Sequence, residues 1–243
     1  STLGSFSSLT QTSDIERELN RVSNWLSANK LALNVEKSKC MYFHPPQRSV
    51  SVPEIRINNE TVQRVSNFNY LGIVFDTNLT WNDHISHISR KISKAIGALS
   101  RLKHFLPSQI LKIIYNSLVA CHLKYGILVW GNRVDFLLKL QKRAVRLISN
   151  AGYNAHTEPL FRELKILKLM DERKLQELKF FYKFTHGNVP PFFQQGFISL
   201  SENNRYQTRN NQNLVLPEFH HEFFRHSLRY TIVKTINDCP LQI

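Results

Sequence analysis

At Thr80 the hydrophobic period of the chain changes, and no single element can carry both patterns. Before it, "VPEIRINNETVQRV" alternates around Asn58-Asn59 and "NFNYLGIVFD" is a short apolar strand run. After it, Ile85, Ile88, Ile92, Ile96 and Leu99 recur as one helical seam, with His87, Arg90, Lys91, Lys94 and Arg101 on the opposite side. The stretch "LLKLQKRAVRLI", residues 137 to 148, repeats that design. Leu137, Leu140, Ala144, Leu147 and Ile148 share an arc, and Lys139, Lys142, Arg143 and Arg146 oppose it with no acid among them. Like charges at helical spacing repel by a few tenths of a kcal/mol, so an anionic partner would offset a cost built into both helices.

The other elements are set by punctuation and period. Ser13-Asp14-Ile15-Glu16 reads as a capping box opening a helix in which Ile15, Leu19, Val22 and Leu26 recur, up to Asn29. "LALNVEKSKCMYF" then runs to Pro45-Pro46, which must stop it. Between the two basic helices, Pro107-Ser108 opens "SQILKIIYNSLVACHLKYGILVW", whose sparse polar residues predict a buried partner. A helix pair is predicted with starts near Thr157 and at Asp171, the second ending at Gly187-Asn188 before Pro190-Pro191. From about residue 192 the tail is Asn-rich, "SENNRYQTRNNQN", and turns apolar again in "EFFRHSLRYTIV". The expected fold class is α+β, predominantly α, with a small antiparallel sheet of three or four strands. The expected domains are 1–80, 81–150 and 151–243.

Charge narrows the partners. The chain carries a formal net charge of +14 at pH 7, and residues 81–150, with twelve Lys/Arg against two Asp/Glu, hold +10 of it. Duplex nucleic acid offers about one phosphate charge per 1.7 Å and releases counterions when cations neutralise it, so cations repeating every helical turn suit a phosphate track. No aromatic residues interleave with them as base stacking would need, so backbone contact is expected. Three cysteines, odd in number and far apart, point to a reducing compartment rather than a disulfide framework. That usage also argues against secretion, so the sequons at Asn59-Glu60-Thr61 and Asn78-Leu79-Thr80 read as chance matches. No run of eighteen apolar residues predicts a membrane span, and neither an initiator Met nor a signal-peptide pattern opens the chain, which reads as cut from something longer.

Residues of chemical interest are few. His84 and His87, or His220, His221, His226 and Cys239, could be combined as metal ligands, but none has the paired spacing of a zinc module, and ordinary surface or core histidines are expected. There is no adjacent Asp pair, and Asp76 and Asp83 read as turn and cap residues rather than a two-metal site. Nothing resembles a nucleophile elbow. At Tyr70-Leu71-Gly72 a strand passes a glycine, which marks either a bulge for packing or close approach to a ligand.

Several ordered stretches together resemble the C-terminal part of the reverse transcriptase of non-LTR, Jockey- or LINE-like retrotransposons. "LNRVSNWLSANKLALNVEKSKCMYF" is similar to the end of its palm, and "FNYLGIVFDTNLTWNDHI" to the segment leading into its thumb. "IIYNSLVACHLKYGILVWGN" with "LLKLQKRAVRLI" resembles the thumb and the region after it, while "HTEPLFRELKILKLMDERKLQELKFFYKF" and "NDCPLQI" fit its tail. The resemblance implies a partial palm over 1–80, a basic helical thumb over 81–150 and a helical extension over 151–243. It places Lys37 or Lys39 near the leaving pyrophosphate, Tyr70, Leu71 and Gly72 near a primer-gripping hairpin, and Arg90, Lys91, Lys94 and Arg101 on a thumb helix along template and primer. The family's two magnesium ions are held by an Asp pair and a further Asp. Those acids are absent here, the pair being expected just before Ser1, as are the fingers. The expectation is therefore a fragment with no catalytic residue and no cofactor of its own, in the cytoplasm or nucleus, that binds RNA and DNA template and primer without polymerising. The alternative is a retroelement-derived scaffold docking on an acidic protein.

Overall fold

The computed structural model describes residues 12–45, 54–131, 134–193, 197–199, 213–218 and 222–239. The chain divides into two compact units, Ser1–His84 and Ile85–Ile243. It is predominantly helical with small two-stranded sheets, the α-rich α+β class the sequence predicts.

In the first unit, α1 (Thr12–Ala28) lays Ile15 and Leu19 on a small core of Ile55, Ile57 and Val62, joined by Leu33, Val35, Cys40 and Tyr42. The side chain of Ser13, the proposed cap, lies outside the described residues. The Glu16 carboxylate accepts the Arg56 N–H at 3.1 Å, tying α1 to the sheet. β1 (Lys39–Cys40) pairs with β4 (Gln63–Arg64), and β2 (Arg56–Ile57) with β3 (Glu60–Thr61). The β1–β4 ladder is parallel, because its strands are joined by a long excursion rather than a hairpin. Asn58 and Asn59 make the β2–β3 turn with φ of 50° and 66°, the left-handed pair a tight hairpin requires. Asn58 also donates to Ser23 Oγ at 2.8 Å, which satisfies a hydroxyl buried on α1. β5 (Asn67–Tyr70) and β6 (Ile73–Asp76) form a third, antiparallel ladder.

The loop after β6 is held by one carboxylate. Asp76 accepts the N–H groups of Asn78, Thr80 and Trp81 at 3.1, 2.9 and 2.8 Å, so it is the turn and cap residue the sequence suggests. Leu79 and Trp81 sit at positive φ within that loop, and Trp81 packs edge-on against Phe75 at 5.3 Å. Asp83 accepts from the Asn67 side chain at 3.3 Å.

The second unit is helical. α2 (Asn82–Leu102) begins in the first unit and runs into it, burying Ile88, Ile92, Ile96 and Leu99. α3 (Ser108–Tyr115) continues through a π-helical turn, Asn116–Ala120, into α4 (Cys121–Lys124). Gly126 then takes the left-handed conformation before α5 (Ile127–Trp130). This stretch is only half the buried partner that its composition predicts. Leu111, Tyr115, Val119, Leu123, Ile127 and Trp130 are buried, but Ile110, Ile113, Leu118, Tyr125 and Val129 are exposed.

α6 (Asp135–Ile148), α7 (Thr157–Glu163) and α8 (Leu169–Thr185) come next, and α9 (Leu228–Asp238), capped by the Ser227 hydroxyl, packs on α8. α8 ends where the sequence predicts, with Gly187 at φ 68° and the Asn188 N–H returning to Lys183 O. Most of the Asn-rich tail lies outside the described residues.

Candidate nucleic-acid interface

The exposed side of α2 carries Arg90, Lys91, Lys94 and Arg101, all solvent-facing because the isoleucine seam fixes the rotation of the helix. Among the described residues none of the four is ion-paired, and Arg90 only donates within its own helix, to Ser86 O at 3.3 Å. The neighbouring histidines extend this face. His87 is pushed below its ordinary pKa by partial burial and by Lys91 and Arg90. His122 of α4 is lowered by burial and by the charges of Lys91 and His87. The sequence offers no hint of His122, since it falls in the stretch read as buried.

α6 splits its four cations into two kinds. Lys139 and Arg143 are exposed and not ion-paired among the described residues. Arg146 is turned to structural use, its Nε donating to Ala155 O at 2.9 Å across the loop into α7. Lys142 lies in the field of Glu158, whose carboxyl is held below the usual range first by a hydrogen bond from Lys168 and further by Arg162 and Lys142. The helix also sits rotated from its expected orientation. Leu137, Ala144 and Ile148 are buried as predicted, together with Gln141 and Val145, while Leu140 and Leu147 are half-buried. Gln141 explains the rotation: its amide donates to Tyr115 Oη at 3.0 Å and Leu167 O at 2.9 Å, and accepts from the Leu169 N–H at 2.9 Å. Three satisfied bonds make burial of that polar group tolerable.

Tyr70, Leu71 and Gly72 form a hairpin loop rather than a bulge. Tyr70 pairs with Ile73, and Leu71 and Gly72 at φ 49° and 80° are the two central residues. Leucine is costly in that left-handed region, yet Leu71 stands 71% exposed, so core packing does not hold it there. Leu71→Asn, which creates the Asn-Gly pair favoured in such turns, is expected to stabilise the protein by about 0.5–1 kcal/mol, read from urea midpoints.

Of the two lysines left open by the sequence, Lys39 is engaged. Its ammonium bonds the Gln63 side chain across the β1–β4 ladder and Glu36 O. Lys37 is exposed in the preceding turn. His84 is a core residue, 1% exposed, with Nδ1 accepting the Val74 N–H at 3.3 Å. His220 and His221 lie outside the described residues.

The chain is similar to three polymerases of Drosophila melanogaster mobile elements. It is 30% identical to the RNA-directed DNA polymerase from mobile element jockey over 179 residues, 70% of this chain and 19% of that protein. It is 29% identical to the probable RNA-directed DNA polymerase from transposon X-element over 161 residues, 63% of this chain and 17% of that one. The probable RNA-directed DNA polymerase from transposon BS is 25% identical over 162 residues, 63% of this chain and 18% of its own length. No family model matches the chain, and no solved structure matches it. The chain spans about a fifth of the length of the curated relatives it matches. The chain is thus a homologue of a short segment of the RNA-directed DNA polymerases of the jockey, X-element and BS mobile elements.

Proposed function

We propose that this chain holds RNA and DNA, as template and primer, through backbone phosphates laid along the exposed sides of α2 and α6, and does not polymerise by itself. The observation that carries the reading is the set of six exposed cations, Arg90, Lys91, Lys94, Arg101, Lys139 and Arg143, free of ion pairs among the described residues. The homology supports it, since a polymerase must grip nucleic acid. Lys142 and Arg146 are assigned a smaller share, because each already faces a protein acceptor or acid. The hairpin at Leu71 and the exposed Lys37 are proposed as further contacts, on the primer side and toward the leaving pyrophosphate. In this reading the magnesium chemistry belongs to other parts of such a polymerase.

Titrating an RNA–DNA duplex against the protein over a range of salt tests the reading. Six phosphate contacts give a slope of log affinity on log salt of about −5, and a flat response would remove the proposal. Acid should tighten the same complex. His87 and His122 are mostly neutral at pH 7 because their pKa values are depressed; phosphate favours their charged forms, so affinity rises as pH falls below about 6.5. The free protein moves the other way, losing a little stability over that range because the unfolded chain takes up those protons more readily. Replacing both histidines with glutamine should flatten the pH response and leave the salt slope at pH 8 unchanged.

A further inference from the structure

Between α3, α4, the α7–α8 loop and α8 lies a cleft of about 460 Å³ whose charge is one-sided. Lys112, Lys124, Lys165 and Lys179 line it against a single acid, Glu172. Glu172 is 5% exposed and already committed: Lys124 Nζ lies 3.2 Å from Oε2 and Gln176 donates to Oε1 at 2.9 Å. One ammonium is thereby neutralised, and Lys112, Lys165 and Lys179 have no acid partner among the described residues.

The floor is also made of donors. The Tyr115 hydroxyl oxygen accepts from Gln141, whose two amide hydrogens go to Tyr115 and Leu167, and no acceptor for the phenolic O–H is present among the described residues. Burial pushes that phenol up to about 12, which keeps its proton on at any physiological pH.

Lys165 reaches the cleft from the end of α7. It occupies the left-handed position, φ 51°, that closes α7, with its N–H on Arg162 O and the Ile166 N–H on Phe161 O. Glycine or asparagine is the ordinary occupant of that position, and a strained lysine there puts an ammonium on the wall of the cleft. A cavity of this size takes a small ligand or the end of a strand, not a duplex.

We infer that the Lys112–Lys165–Lys179 cleft is a binding site for a phosphate monoester or diphosphate group, carried by a small molecule or by the 5′ end of a nucleic-acid strand. The site does not depend on the phosphate track of α2 and α6, because it recognises a terminal group rather than a backbone. The ligand's oxygens accept from three ammoniums and the Tyr115 hydroxyl, and the Lys124–Glu172 pair closes the remaining side.

Calorimetry with inorganic pyrophosphate on the whole chain tests this. Binding is expected, with an affinity that falls at least tenfold in Lys112→Gln/Lys179→Gln and stays within twofold in the charge-matched Lys174→Gln/Lys183→Gln, whose lysines lie on α8 outside the cleft. Lys165→Gly separates binding from folding: the relaxed backbone should hold or raise the thermal midpoint while pyrophosphate affinity drops about fivefold or more. On the unaltered protein, pyrophosphate should shield Lys112, Lys165 and Lys179 from acylation as read by mass spectrometry. Absence of binding at millimolar pyrophosphate, or equal losses in the two double variants, overturns the assignment. Competition by 5′-phosphorylated against 5′-hydroxyl oligonucleotides then tells the sources apart: displacement by the phosphorylated strand alone assigns a strand end, and displacement by neither assigns a small molecule.

Discussion

Glu177→Leu is expected to destabilise the helical unit by about 3–5 kcal/mol, the range for removing one partner of a buried ion pair. Glu177 is 2% exposed on α8, with Oε1 3.1 Å from Arg173 Nε and Oε2 accepting from Thr235 Oγ1 at 2.5 Å. One carboxylate thus lies in ion-pair range of a cation on its own helix and accepts from a hydroxyl on α9. Arg173 reaches further and donates to Gly131 O at 3.1 Å, beside the end of α5. Burial lowers the Arg173 pKa while Glu177 opposes that shift, and because a guanidinium stays protonated in proteins its buried charge depends on the carboxylate that faces it. Without Glu177 the charge is stranded, whereas removing both charges strands nothing. Arg173→Met/Glu177→Leu should therefore recover most of the loss, and urea unfolding followed by circular dichroism measures the difference. A double variant as unstable as the single one would mean that shape, not charge, makes this site costly. Gly131 belongs to the same joint: a Cβ there would lie 2.2 Å from Ile127 O, so alanine at 131 must push the backbone that Arg173 holds.

That joint was not legible in the sequence, and the reason is general to the fold. The isoleucine seam of α2 and the Asn58-Asn59 turn come from local patterns, because period and turn chemistry act over a few residues, whereas the Leu71-Gly72 turn reads in the sequence as a bulge or a ligand approach within one strand. Gln141 defeats such reading. Within "LLKLQKRAVRLI" it looks like one more polar residue, and only partners 26 to 28 positions away turn it inward and carry Val145 with it. Glu172 and Glu177 behave alike, buried charges on a helix whose partners come from α4 and α9. The cleft lysines are drawn from two stretches of chain more than 40 residues apart, so no window contains them. The cationic side of each helix could be read; which cations the fold would spend on itself could not, as with Arg146 and, in part, Lys142.

That division sets the size of the other large effect. Arg90→Glu/Lys91→Glu/Lys94→Glu is expected to lower duplex affinity about a hundredfold at ~0.15 M salt and to make the salt slope shallower by about 3, since each lost phosphate contact returns a condensed counterion. All three side chains are exposed on the far side of the seam from Ile88, Ile92 and Ile96, so the helix itself should persist, and an unchanged circular dichroism spectrum would show that it does. The loss should be similar for unrelated duplex sequences, because phosphates carry no base identity; a loss confined to some sequences would point to base contacts instead. On α6 the fold predicts an asymmetry that charge counting does not. Arg143→Glu removes an unpaired exposed cation and should cost about a full contact, whereas Lys142→Glu acts on a charge already shared with Glu158 and should cost less in affinity. It should cost slightly more in stability, since it adds a second acid to the field that Lys168 and Arg162 now balance around Glu158. Equal binding losses at 142 and 143 would mean that Glu158 yields its partner when nucleic acid arrives.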